Sequence, residues 1–366
     1  MKNLDFPLIP LKNRGDNNVF DLTKREERRA YFDLKVGDEI KELRKFMRKN
    51  KFMAYLLGKK QAGKGTYSKL FIEALGLEKD SDMLFKHLSV GDIIRDLDII
   101  KEDRKAKSEL IAYMKDNYRG FLSLDEILES FYNRDTKGLL PSEFILTLLK
   151  REIDRYQNIS LFIDGFPRSF DQLNYALYFK ELINYRDDND LFILFDVAEN
   201  IINERIKFRR ICPKCHNSYN LKLNPTSKVG YDKSKDEFYL LCDNPSCNNA
   251  RCVTKEGDEL GIETIRERID TDDKLIRMAF KLAGIDKILL RNSVPVDKAR
   301  EYYDDYEITP AFSFVYDEKN DKVNGKKSEW IVEDDNGIAS YSLMPATVVS
   351  IMIIQLHEIL VKGLTT

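Results

Sequence analysis

The sequence predicts an α/β fold, a parallel sheet covered by helices on both faces, and two observations carry that expectation. Four short apolar runs, FMAYLL (52–57), LFKHLSV (84–90), ISLFID (159–164) and LFILFD (191–196), are bounded by polar or turn residues. Each is followed by a helix-like stretch. Strands that are nearly continuous in apolar residues are buried on both faces, and helices between them supply the crossovers a parallel sheet requires.

At 366 residues there is room for one large domain or two ordinary ones, and 43% hydrophobic with 33% charged residues is the composition of a globular protein with a core. A formal charge of −2 removes any global argument for nucleic acid or an anionic membrane as the main partner. The opening MKNLDFPLIPLKNRGDNNVF lacks the uninterrupted apolar stretch of a secretory signal. PATVVSIMIIQL (345–356) is too short for a bilayer span and reads as a buried closing helix. A cytoplasmic protein is expected.

In chain order, residues 1–50 form an N-terminal extension. A Pro- and Asn-punctuated start passes into LTKREERRAYFDLKVGDEIKELRKFMRKN, whose apolar residues fall at loosely helical spacing. One or two surface helices are expected there, with no chemistry assigned. Residues 58–66 then read GKKQAGKGT, between FMAYLL and the helix-like YSKLFIEALGL. Gly58, Gly63 and Lys64 match the phosphate loop G-x-x-x-x-G-K-[ST]; Gly65 takes the hydroxyl position and Thr66 follows one residue late. After a strand and before a helix, such a loop turns backbone N–H groups toward phosphate oxygens, and Lys64 adds a full charge. The expected core is that of a P-loop NTPase.

Four more stretches bear on that loop. KHLSVGDIIRDL places Ser89, Gly91, Asp92 and Arg95 after the second strand, and FIDGFPRSFDQ places Asp164, Gly165, Arg168 and Gln172 after the third. Ligands of open parallel sheets bind outside the carboxyl ends of the strands, so both stretches open on the loop's edge. ERIKFRRICPKC sets Arg205, Arg209 and Arg210 within about one and a half helical turns, and ETIRERI adds Arg266 and Arg268. Arginine binds phosphate bidentately and never loses its charge, which suits a reaction that depends on positioning and charge neutralisation. One such arginine is ordinarily a solvated helix face; the set of stretches is not.

GKKQAGKGTYS, LSVGDIIRD, GLLPSEF (138–144), IDGFPRSFDQ and RIKFRRICPKC, in that order, resemble the adenylate kinases over residues 52–270. The GKGT form is that family's own variant, so Gly65 is a signature. The resemblance implies a P-loop core, a nucleoside-monophosphate (NMP) subdomain and a lid; the expected boundaries are core over 51–88 and 153–204, NMP subdomain over 89–152, zinc-binding lid over 205–268, and core completion with an extra hairpin and closing helix over 269–366. It implies the reaction MgATP + AMP ⇌ 2 ADP, with Mg2+ accompanying ATP. By position, Gly58, Gly63, Lys64, Gly65 and Thr66 would hold the ATP phosphates, and Asp164 would sit in the outer shell of the magnesium. Arg95 and Arg168 would grip the AMP phosphate in a pocket lined by Ser89 and Gly165. Arg205 would lie on the ATP adenine side, while Arg209 and Arg268 close over the phosphates. Gln172 matches the position that recognises the AMP adenine; the similar pyrimidine monophosphate kinases usually have Asn. A monomer is expected, because such a fold must open and close freely. The alternatives are a kinase taking UMP, CMP or GMP, and a non-catalytic nucleotide- and zinc-binding interaction protein.

The sequence also departs from the family pattern. RGFLSLDEILESFYNRDTKG (119–138) reads as an extra helix that would reshape the acceptor pocket. Val90 stands where threonine is expected, and Phe208 where glycine is. A further lid arginine has no clean match, and Arg251 or Lys255 would substitute. AFSFVY (311–316) and EWIVED (329–334) flank DEKNDKVNGKKS, whose Asn324-Gly325 pair predicts the turn of an extra hairpin.

All five cysteines lie between 212 and 252, which in a cytosolic chain indicates metal. Cys212-Pro-Lys-Cys215 has knuckle spacing, and Cys242, Cys247 and Cys252 follow downstream. The expected ligands are Cys212, Cys215, Cys242 and Cys247, with Cys252 as the alternative to Cys247 and His216 as a minority option. Four thiolates suit structural zinc, although such a site also accepts iron. The polar interior NSYNLKLNPTSKVGYDKSKDEF has too little apolar material for a core, so metal would supply stability. The Lys and Tyr residues of 219–240 permit nucleic-acid binding, but the lid position accounts for the module without it. His87 is expected as a satisfied core or edge residue, and His357 on a helix surface.

Overall fold

The computed structural model describes all residues except 13, 15–17, 78–83, 134–139, 170–171, 173–188 and 364–366. The helix expected after ISLFID therefore lies mostly outside the described residues, as do Gly138 and Leu139 of GLLPSEF.

The extension is one helix, α1 (Arg25–Lys49), bent at Val36, which has φ −145° and ψ 24°. Its Tyr31, Phe32, Val36, Leu43 and Met47 are buried. The core alternates β1 (Phe52–Gly58), α2 (Lys64–Ala74) and β2 (Phe85–Ser89). The next four helices are α3 (Val90–Glu102), α4 (Arg104–Asn117), α5 (Leu124–Tyr132) and α6 (Ser142–Asp154). β3 (Ser160–Asp164), β4 (Asn189–Asp196) and α7 (Glu199–Lys207) return to the core. The cysteine-bearing segment contributes β5 (Arg209–Ile211), β6 (Ser218–Asn220), β7 (Lys228–Asp232) and β8 (Glu237–Leu241). The chain continues through α8 (Arg266–Lys281), β9 (Asp286–Arg291), β10 (Ser293–Pro295) and α9 (Val296–Tyr302). It ends with β11 (Ala311–Asp317), β12 (Lys322–Ser328), β13 (Ile331–Glu333), β14 (Ala339–Ser342) and α10 (Pro345–Leu360). No helix among the described residues is long and apolar enough to cross a membrane.

The expected α/β architecture is present as a five-stranded parallel sheet in the order β2-β3-β1-β4-β9. Every residue of β1 is buried. Phe52, Ala54 and Leu56 join the core formed with α1, α2 and α10, whereas Met53, Tyr55 and Leu57 join the core under α3, α6 and α8. Successive strand side chains point to opposite faces, so two covered faces demand an unbroken apolar run. β9 was not anticipated: as an edge strand it fully buries only alternate residues such as Ile288 and Leu290 and lacks that run.

The register Ser89↔Asp164 and Leu56↔Asp164 brings the ends of β2, β3 and β1 to one edge. The expected extra helix is α5, started by a reciprocal Ser123–Glu126 capping box and anchored by Ile127 and Phe131. Residues 134–138 of that stretch lie outside the described residues.

Two expectations for the C-terminal part are corrected. The hairpin exists, but β11 pairs with β12 and not with EWIVED, whose β13 pairs with β14. Asn324 and Gly325 lie within β12, opposite Val315 and Phe314. The turn is made upstream, where the Asp317 carboxylate accepts the N–H groups of Lys319 and Asn320 at 3.0 and 3.3 Å and Asp321 takes φ 49°. α10 is buried as expected, but His357 is not on a surface: it is buried, with Nε2 2.5 Å from the Glu42 carboxylate of α1.

Candidate active site

The phosphate loop follows from close approaches that only glycine permits. A Cβ on Gly58 would lie 3.0 Å from Cβ of Phe195, and Gly63 holds φ +99° as it opens α2. No side chain caps α2, so its first N–H groups and the positive end of its dipole remain available to an anion. Lys64 Nζ donates to the Gly58 carbonyl at 2.8 Å and stands 3.8 Å from Asp164. Gly63 and Thr66 line a cavity of about 370 Å³ together with Arg205, Arg209, Leu223 and Trp330.

On the acceptor side, Gly165 has φ +83°, and a Cβ there would lie 2.6 Å from Arg168 Nη2. A Cβ on Gly91 would fall 3.5 Å from Arg95 Nη1 and 3.6 Å from Arg168 Nη2, so both guanidinium groups converge on this glycine. Arg95 is paired with Asp92, while the buried Nε of Arg168 has no partner among the described residues. Ser89 Oγ accepts the Asp92 N–H at 3.3 Å and caps α3. Gln172, 5% exposed, accepts the Arg168 N–H at 2.8 Å and donates to Ser142 Oγ at 3.1 Å. Ser142 belongs to the GLLPSEF stretch, so the predicted adenine reader is tied to two of the motifs.

Arg205, on α7, donates to the Ala62 carbonyl at 3.0 Å and reaches Asn292 at 3.5 Å. α7 ends at Lys207, so Arg209 and Arg210 lie on β5 and not on the helix their spacing predicted. Arg209 grips Asp258 through two bonds, at 2.8 and 2.5 Å. Arg268 pairs with Asp272 at 2.9 Å, whose carboxylate also accepts the Lys60 N–H at 2.9 Å. Arg266 instead binds Glu199 and Glu263, at 2.6 and 2.8 Å.

The electrostatics identify further members. Burial, then the charges of Lys255, Arg268 and Arg209, lower the Lys60 ammonium from its ordinary value. Burial, then Arg268, does the same to Arg168. Cations gathered this closely repel one another, and phosphate oxygens would relieve that repulsion. Lys60 occupies one of the variable positions of the loop motif, so the pattern alone does not single it out. Lys59 beside it is structural, buried against Glu199 and Asp335 at 3.1 and 2.9 Å. Arg251 and Lys255 also separate: Arg251 pairs with Asp232 at 2.9 Å and stacks 4.0 Å over Tyr239, whereas the charge of Lys255 acts on Lys60. His87 is at the edge strand as expected but is not satisfied, since its buried Nε2 has no hydrogen-bond partner among the described residues and lies 4.0 Å from Asp164.

The ligand atoms of Cys212, Cys215, Cys242 and Cys247 all lie within 4.8 Å of one another, and Cys215 and Cys242 sulfurs are 3.6 Å apart. Tetrahedral zinc with bonds of about 2.3 Å separates its sulfurs by about 3.8 Å, so the group fits zinc. The N–H groups of Cys215 and Lys214 pull the Cys212 thiol down to about 6, favouring the thiolate that binds metal. The wider Cys242–Cys247 spacing is taken up by a turn at Pro245–Cys247, capped by Asn244. Cys252 is buried but outside the group of four, and His216 is outside it as well.

No family model matches the chain. It is 32% identical over 220 residues to the adenylate kinase of Thermotoga neapolitana, covering 59% of this chain and 79% of that protein. The identity is 31% over 221 residues with the adenylate kinase of Clostridium acetobutylicum, covering 60% and 80%, and 30% over 191 residues with that of a Hydrogenobaculum species, covering 52% and 70%. The chain belongs to the adenylate kinase family. Membership makes it a nucleotide-binding phosphotransferase with nucleoside monophosphate kinase activity. The cysteine group fits the zinc-lid form of the adenylate kinase fold.

Proposed function

We propose that the chain transfers the γ-phosphoryl group of MgATP to AMP, reversibly, giving two ADP. The observation that carries the acceptor is Gln172: buried, with its amide held by the Arg168 N–H and Ser142, it is fixed between the Arg168 backbone and the start of α6. Those two bonds leave the carboxamide one N–H and one oxygen lone pair, the pattern complementary to the N1 and N6 edge of adenine.

Gly58, Gly63, Gly65 and Thr66 shape the loop whose N–H groups hold the ATP phosphates, and Lys64 neutralises charge that develops on the transferred group. Arg95 and Arg168 bind the AMP phosphate beside Ser89 and Gly165, in line with that group. Asp164, at the end of β3, would hold the magnesium delivered with ATP through its bound water, and that ion would supply Lewis-acid polarisation of the phosphoryl oxygens. Arg205 orients the adenosine of ATP, while Arg209 and Arg268 exchange their carboxylate partners for phosphate when ATP enters beneath the lid. Closure also excludes water, which prevents hydrolysis of ATP. Zinc held by Cys212, Cys215, Cys242 and Cys247 would cross-link the lid, whose cysteine cluster includes few other fully buried side chains. We take the residue boundaries 89–152 and 205–268 as those of the two moving parts, and the chain as a cytoplasmic monomer.

The test is a coupled assay with MgATP against AMP, UMP, CMP and GMP separately. Turnover with AMP alone is expected. Preference for another acceptor would keep the mechanism and move specificity to α4 and α5. Binding of ATP without turnover of any acceptor would overturn the kinase reading.

A further inference from the structure

The hairpin β11–β12, which the family pattern does not supply, reaches across to the lid. Along β11 the side chains alternate: Ser313 and Val315 are exposed, while Phe312, Phe314 and Tyr316 are half-buried. That half-buried row faces the β7–β8 hairpin. Tyr316 stacks on Tyr231 of β7, with ring centroids 4.5 Å apart and planes 17° apart. Phe314 packs on Phe238 of β8 at 5.8 Å. Gly325, opposite Phe314, leaves room for that ring, since a Cβ there would lie 3.2 Å from it.

At the base of the hairpin the Phe312 N–H donates to the Lys222 carbonyl of the lid at 2.7 Å. Trp330 and Ala311, at its two ends, share a buried cluster with Leu223 and Ile262 of the lid and Ala62 of the phosphate loop. Lys233 adds an ion pair to Asp321 at 3.3 Å, but both side chains are largely exposed, so the aromatic contacts and the backbone bond dominate.

We propose that this hairpin is a clasp holding the lid over the donor nucleotide, with Tyr316 a positioning residue for phosphoryl transfer. The proposal rests on the lid reading given above. A lid that must find its closed position binds ATP more weakly by the fraction of time it is closed. A clasp raises that fraction before ATP arrives, and it slows the opening that releases product.

The test compares wild type with Tyr316→Ala, Tyr231→Ala, the double variant and Tyr316→Phe. One stacked pair is worth about a three- to ten-fold change. Tyr316→Ala should therefore raise the KM for ATP by about that factor, leave the KM for AMP unchanged, and keep kcat equal or higher. Without nucleotide, amide hydrogen exchange across residues 222–241 should be faster. Tyr231→Ala should reproduce both changes and the double variant add little, because the two rings act as one contact. Tyr316→Phe, which keeps the ring, should behave as wild type. Unchanged lid exchange, or faster exchange with an unchanged KM for ATP, would overturn the proposal. If no acceptor is turned over, the proposed function fails separately, and ATP affinity by calorimetry reads the clasp in place of KM.

Discussion

Gly165→Ala tests the acceptor site with the smallest change of composition. Gly165 holds φ +83°, a region that costs a residue with a Cβ about 1–2 kcal/mol. The added Cβ would also stand 2.6 Å from Arg168 Nη2, against an ordinary contact of about 3.5 Å, so the guanidinium must retreat by roughly 1 Å. The Arg168 side chain is flexible at that end, so the strain term dominates stability, and the thermal midpoint should fall by only a few degrees. The effect on catalysis is larger, because a displacement of about 1 Å in a phosphate clamp can cost about 10²-fold in rate. Initial rates with varied AMP at saturating MgATP should show kcat/KM for AMP down by roughly that factor, with the KM for ATP nearly unchanged. A lowered midpoint with unaltered AMP kinetics would refute the reasoning: Arg168 would then not be a phosphate ligand.

Other variants probe the remaining parts. Lys64→Ala should lower kcat by about two to three powers of ten or more, since it removes a charge aimed at the transferred group; near-normal turnover would remove Lys64 from the site. Lys255→Ala should lower kcat/KM by about ten-fold while Arg251→Ala changes it little, because the Lys255 charge acts on Lys60 whereas Arg251 is paired with Asp232. Equal losses in the two would contradict that assignment. Chelator treatment, or Cys212→Ser, should lower the thermal midpoint more than it lowers activity in the cold, and a midpoint indifferent to chelator would exclude a structural metal. Gln172→Asn should relax the preference for AMP over UMP and CMP; unchanged selectivity would assign that choice to α4 and α5.

What the sequence conveyed tracks how local each signal is. The run FMAYLL declares a strand covered on both sides because all of its residues are buried, and α10 is legible for the same reason. Motifs bring Lys64, after β1, and Arg168, after β3, to one sheet edge because each follows a strand within a few residues, and Gln172 joins them through the Arg168 N–H. Partner choice, by contrast, is set by folding. Nothing near Arg209 in sequence announces Asp258, and nothing in VTKEGDELGIET separates Lys255 from Arg251. Asn324-Gly325 carries turn chemistry, yet the glycine serves the Phe314 ring and the turn belongs to Asp317. His357 escaped notice as buried because a polar residue near the end of a helix usually faces solvent, whereas α1 covers it here.

The position of α10 in the chain has a consequence for biosynthesis. This helix packs on α1, α2 and β9, and with α1 it roofs the sheet face that carries Phe52, Leu56, Ile193 and Ile288. On the ribosome those four residues emerge long before residues 345–360. Until the last helix leaves the exit tunnel, that half of the sheet has no complete cover of its own. The growing chain must therefore keep this surface unassembled or have it shielded by another protein, so the core closes as one late event and not strand by strand.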